Sequence, residues 1–198
     1  MQTPPLVFKA RKTDGDLGAV LPSRAAALAR VIVRMAAEGA EGNLHETLLA
    51  VQPSSARKAL EETVCLYLFI AHRSATAFLQ EDVFPPYHRD AFLASTWEET
   101  VALLAAGLED PEARRELREG FEELWNTRRM QYAACSRMYR QENESLEGTV
   151  IFDFYRRAVG LGREPALHML ANLQVPLLHV ELSKALAELI CEALGIEL

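Results

Sequence analysis

Metal or nucleophilic chemistry would have to come from the five histidines and three cysteines, so their neighbours are the first thing to read. A di-metal site in a helical bundle needs Glu-x-x-His on two helices, because that spacing puts both ligands on one face. The residues three positions before His45, His72, His88, His168 and His179 are Gly42, Phe69, Pro85, Pro165 and Pro176. Three positions after them stand Leu48, Ala75, Ala91, Ala171 and Leu182. No ligand pair results, and His-Glu-x-x-His is missing, so no metal site and no cofactor is expected. Cys65 and Cys135 fall in apolar stripes, where a thiol behaves as a small hydrophobe, and Cys191 sits late in the terminal helical stretch. Nothing in these spacings specifies the depressed pKa that a nucleophilic thiol needs.

Arg163-Glu-Pro-Ala-Leu-His168 resembles the Arg-x4-His motif of the helical HEPN ribonucleases. The resemblance covers these residues alone, with Pro165 inside the motif and no Tyr after it. It implies a metal-independent RNA cleavage site at a dimer interface, with Arg163 and His168 as its catalytic pair. His88-Arg89-Asp90 is similar to the catalytic-loop tripeptide of protein kinases, yet no glycine-rich loop or Asp-Phe-Gly accompanies it, and Ser95 stands where the metal-binding Asn belongs. Gly160-Leu161-Gly162 follows no strand and precedes no Gly-Lys-Ser/Thr, so it reads as a helix end.

The richest stretch is Asp110 to Gln141. Glu109 to Glu123 holds seven acidic residues and three Arg, whereas Leu124 to Gln141 holds Arg128, Arg129, Arg137 and Arg140 and no acid. Acid at the start of a helix and base at its end oppose the macrodipole, so this distribution stabilises one long helix from Asp110 to about Gln141. At 100° per residue, Trp125, Arg129, Tyr132, Ser136 and Arg140 share a face, and Arg128 lies inside the adjacent apolar stripe of Leu117, Phe121, Leu124, Cys135 and Tyr139. Arginine beside aromatic residues suits a protein interface, where Trp, Tyr and Arg are the commonest anchors. An arginine in an apolar stripe needs a carboxylate or an anion, and Glu61, Glu62, Glu98 and Glu99 on neighbouring helices are the available partners.

A second candidate surface lies on the segment from about 55 to 81, where Glu61, His72, Arg73 and Thr76 share a side with Cys65 and Phe69. A Phe on the polar side marks burial under another helix or an interface. A pocket inside the bundle, lined by Tyr67, Phe69, Trp97 and Trp125 and closed by Arg128, would instead make the chain a small-ligand sensor.

These residues must be positioned by helices. Ser23 is the expected N-cap of a helix over Arg24 to Glu38, with Ala27, Leu28, Val31, Ile32 and Met35 at helical spacing. Asn43 to Val51 is a short helix candidate. The segment of about 55–81 is apolar on all sides, which predicts a buried central helix. Phe84-Pro85-Pro86 opens the next helix, with Leu93, Trp97, Val101, Leu104 and Leu108 as its buried face. Asp110-Pro111 caps the long helix, and Thr149 to Val159, Arg163 to Asn172 and Pro176 to Leu194 complete the chain. Alternation with period two is nearly absent, Thr149 to Phe152 being the one β-like stretch.

The expectation is therefore an all-α, single-domain bundle of six to eight helices over 23–198, preceded by an arm over 1–22 that is mobile or docked. The 198-residue chain carries a net charge of −7, which gives no overall attraction for nucleic acid or anionic membranes. No apolar run approaches the ~20 residues of a membrane span, no signal-peptide pattern opens the chain, and the three cysteines form no disulfide framework. A cytoplasmic protein follows, with its thiols reduced. The reading of function is a non-catalytic helical interaction module, whether adaptor, chaperone-like or self-associating, that binds a protein partner or a second copy of itself. Its candidate binding residues are Trp125, Arg128, Arg129, Tyr132, Arg140, Phe69, His72 and Arg73.

Overall fold

The computed structural model describes residues 14–41, 56–78, 86–138, 147–157 and 188, and they are mostly helical, with no strand among them. Five helices are delimited: α1 Asp14–Glu41, α2 Ala56–Phe78, α3 Pro86–Ala105, α4 Pro111–Ala133 and α5 Val150–Arg157. The candidate helices at 43–51 and 163–172, and that at 176–194 apart from Glu188, lie outside the described residues.

α1 begins nine residues before the expected cap at Ser23 and runs through Pro22. Pro22 has no N–H to give to the carbonyl of Gly18. Gly18, Pro22 and Ser23 are all exposed, so the interruption falls on the solvent side of the helix, and the Ser23 hydroxyl turns back to donate to the Val20 carbonyl at 2.8 Å. The buried face of α1 is Leu21, Ala25, Leu28, Ala29, Ile32 and Ala36. α1 lies most extensively against α3. α3 also buries small side chains, Thr96 and Thr100, whose hydroxyls donate to the Phe92 and Thr96 carbonyls at 2.9 and 2.7 Å. These bonds within the helix let two polar residues enter the core without orphaned donors.

α2 is the central element. Every side chain from Glu62 to Ala71 is buried, and the helix meets α1, α3 and α4. α4 opens as its sequence dictates: the Asp110 carboxylate accepts from the Glu112 N–H at 3.1 Å, and Pro111 occupies the first turn.

α4 ends at Ala133 instead of continuing to Gln141. After Ala134 and Cys135 the backbone turns to pair with the entry of α5. Ser136 N–H donates to the Gly148 carbonyl at 3.1 Å, while Val150 and Ile151 donate to Arg137 and Met138 at 2.9 and 3.2 Å. Gly148 makes this approach with φ +78°, a conformation that side-chain-bearing residues rarely adopt. The Thr149 hydroxyl then accepts from Phe152 N–H at 3.2 Å and caps α5, so the β-like stretch starts a helix. The arginine-rich end of the segment is thus divided: Arg128 and Arg129 precede the last turn of α4, and Arg137 lies in the turn beyond it.

Candidate functional site

Leu117, Phe121, Trp125, Arg128 and Tyr132 recur every three or four residues and form the face α4 turns toward the core. On α2 the matching row is Glu62, Cys65, Phe69 and His72. Two aromatic contacts join the rows: Phe69 with Tyr132, centroids 5.4 Å apart, and His72 with Trp125 at 5.1 Å, both edge-to-face. Phe69, Trp125 and Tyr132 are all buried. The Phe on the polar side of α2 therefore marks burial under α4.

Beside these rings the Arg128 guanidinium is held in a fork by Glu62, with Nε and Nη2 donating to the two carboxylate oxygens at 2.7 and 2.6 Å, and Nη1 donates to Gln131 Oε1 at 2.8 Å. The side chains are 13% and 2% exposed, so this is a desolvated ion pair. Of the four acidic residues the sequence offered to Arg128, Glu62 is the one that meets it. The hydrogen bonds that Arg128 donates to Glu62 push the guanidinium's pKa up and hold it protonated.

Burial, reinforced by the charge of Glu62, pushes the Cys65 thiol and the Tyr132 phenol upward, so both stay protonated at neutral pH. Burial, with the Arg129 charge adding to it, lowers His72 to about 4 and keeps its imidazole neutral. Such a set suits a fixed helix contact: the thiol lacks thiolate character, and Arg128 is committed to Glu62 and Gln131 where a bound anion would need it. Arg73 and Arg129 are exposed, Ser136 has left the helix, and Arg140, Arg163 and His168 lie outside the described residues. The expected grouping of Trp125, Arg129, Tyr132, Ser136 and Arg140 on one helical face is corrected by the end of α4 at Ala133.

Trp97, named in the pocket reading, is half-buried beneath Arg118, whose guanidinium is 5.0 Å from the ring centroid. Arg118 also clasps Glu98 through two bonds of 2.7 Å and so bridges α3 to α4 at the surface.

A feature that sequence reasoning missed lies on the far side of α1. Ala27, Arg30, Val31, Val33, Arg34 and Ala37 of α1 and Leu103 of α3 line an open groove of about 580 Å³. Its apolar residues are half-buried and its arginines exposed. The signal was present in the sequence: Val31 and Val33 differ by 200° around a helix, so α1 is apolar over more of its circumference than one packed face requires. Among the described residues no helix is long and apolar enough to cross a membrane. No protein-family model, curated protein or solved structure matches the chain.

Proposed function

We propose that this chain is a helical protein–protein interaction module and that the groove between α1 and α3 is the surface through which it holds a partner. The observation that carries this reading is the groove itself, an open apolar concavity bordered by two exposed arginines. Arginine beside half-covered aliphatic side chains supplies both elements of a recognition hot spot, area and charge-assisted hydrogen bonds. Six of the seven lining residues belong to α1, so the concavity offers mainly one apolar helix face, the kind of surface on which a partner's amphipathic helix packs. The aromatic residues of α2 and α4 support the module differently, by fixing those two helices to each other, while α2 in turn meets α1 and α3.

The test is capture by the tagged full-length chain from a lysate of its native cell. Val33 is half-buried in the groove and is not among the residues packed on the core, so Val33→Glu is expected to change stability by no more than roughly 0.5 kcal/mol. The variant should lose a discrete protein that the wild type retains, while Arg73→Glu on α2 retains it. Equal capture by wild type and Val33→Glu would remove the groove from the account.

A further inference from the structure

We infer that the partner at the groove between α1 and α3 is a second copy of this chain, held about a two-fold axis by two reciprocal ion pairs in which Arg30 of each copy meets Glu99 of the other. This names the occupant of the docking surface proposed above and rests on that reading.

Arg30 stands in the middle of the apolar face that α1 offers. At 100° per residue, Val33 and Ala27 lie about 60° to either side of it, and all three line the groove. A cover over those side chains takes the guanidinium out of water, and an arginine so placed is costly unless a carboxylate meets it. Arg30 is exposed and has no such partner among the described residues, whereas Arg34, one turn on, already interacts within the chain. Whatever covers the groove must therefore bring a carboxylate to Arg30.

The same surface carries one. Glu99 precedes Leu103, the α3 residue of the groove, by one helical turn, and the i, i+4 spacing places both on one side of α3. Glu99 is exposed and makes no ion pair among the described residues, with Arg30 or with any other group. The groove is thus flanked by one unmatched charge of each sign, on opposite helices. That is the pattern a two-fold contact needs, because in such a contact residue i meets residue j and j meets i. An outside helix with acidic flanks would satisfy Arg30 and at the same time set like charge against Glu99. Apart from Arg34, the rest of the lining is apolar, and the short side chains of Ala27, Val31, Val33 and Ala37 let a second helix approach closely. Across the axis every contact is made twice, so two Val33, two Leu103 and two ion pairs are covered together.

Light scattering and sedimentation of the full chain test this without any other protein. Wild type should form a dimer at micromolar concentration, with a dissociation constant that rises with salt. Arg30→Glu alone and Glu99→Arg alone should each weaken the dimer at least about tenfold, since each sets like charges together twice. Both positions are exposed, so both variants should keep the helical circular dichroism of wild type. Arg30→Glu with Glu99→Arg in one chain should restore the dimer. An equimolar mixture of the two single variants should restore it as well, because each supplies the charge the other lacks, a recovery that pairing inside one chain could not give. A wild-type chain that stays monomeric, a dimer that tolerates either reversal, or a mixture that fails to associate overturns the inference, and so does a dimer that Val33→Glu leaves intact. A monomeric chain that still loses a captured partner on Val33→Glu overturns this inference alone and leaves the proposed function standing.

Discussion

A guanidinium inside an apolar stripe has to meet a carboxylate or stay wet, and Arg128 meets Glu62. The pair adds less stability than its geometry suggests, because both ions were taken out of water, but removing one partner strands the other. Arg128→Met is expected to destabilise by about 3 kcal/mol, whereas Glu62→Leu with Arg128→Met returns to within about 1 kcal/mol of wild type. Urea denaturation of the full double-mutant cycle measures both. Additive losses would mean that the two side chains do not act as a pair. His72 gives a pH signature of opposite origin. Its folded pKa is about 4 against an ordinary 6.5, so between those values the unfolded chain binds the proton that the folded chain refuses. Stability should therefore fall as pH drops from about 6.5 to about 4, by on the order of 2–3 kcal/mol, and this component should vanish in His72→Leu. Identical slopes in the two proteins would contradict the burial of the imidazole against Trp125.

At the scale of elements, helix starts follow local chemistry more closely than helix ends. Asp110-Pro111 was legible because a side chain two residues away satisfies the free N–H of the first turn, and α4 starts there. Asp110→Ala should accordingly cost about 1 kcal/mol, read as a lower urea midpoint at unchanged slope, and Asp110→Asn should cost much less. The start at Pro86 was equally legible. The end of α4 was not, because Ala134 to Gln141 contains no Gly or Pro to stop a helix. The chain leaves the helix there to hydrogen-bond Gly148, Val150 and Ile151, contacts that exist only once α5 is in place. Ser23 failed in the opposite sense: its type suits a cap, but α1 absorbs Pro22 on an exposed side and continues past both residues.

For the molecule as a whole, the −7 charge is unevenly placed. Residues 1–83 carry nine basic and nine acidic side chains, so the entire excess belongs to residues 84–198. The neutral half supplies Arg30 and Arg34, the two arginines of the groove. A chain so charged should remain in the supernatant when mixed with phosphatidylserine vesicles at about 0.15 M salt. Sedimentation with the vesicles would show that the arginines of α1 meet a lipid surface instead of a protein.

The residue pattern alone determined that the described residues are mostly helical, where α3 and α4 begin, and that the segment around 62–71 is buried on every side. Those properties follow from periodicity and capping, which act over a few residues. Tertiary structure decided which faces meet. It turned Phe69, Trp125 and Tyr132 from candidate surface anchors into the contact between α2 and α4, and it chose Glu62 among four acidic neighbours for Arg128. It also left Val33, Arg30 and Arg34 along an open groove. A helical wheel shows which side chains share a face, but whether that face is covered depends on elements distant in sequence, and only their packing settles it.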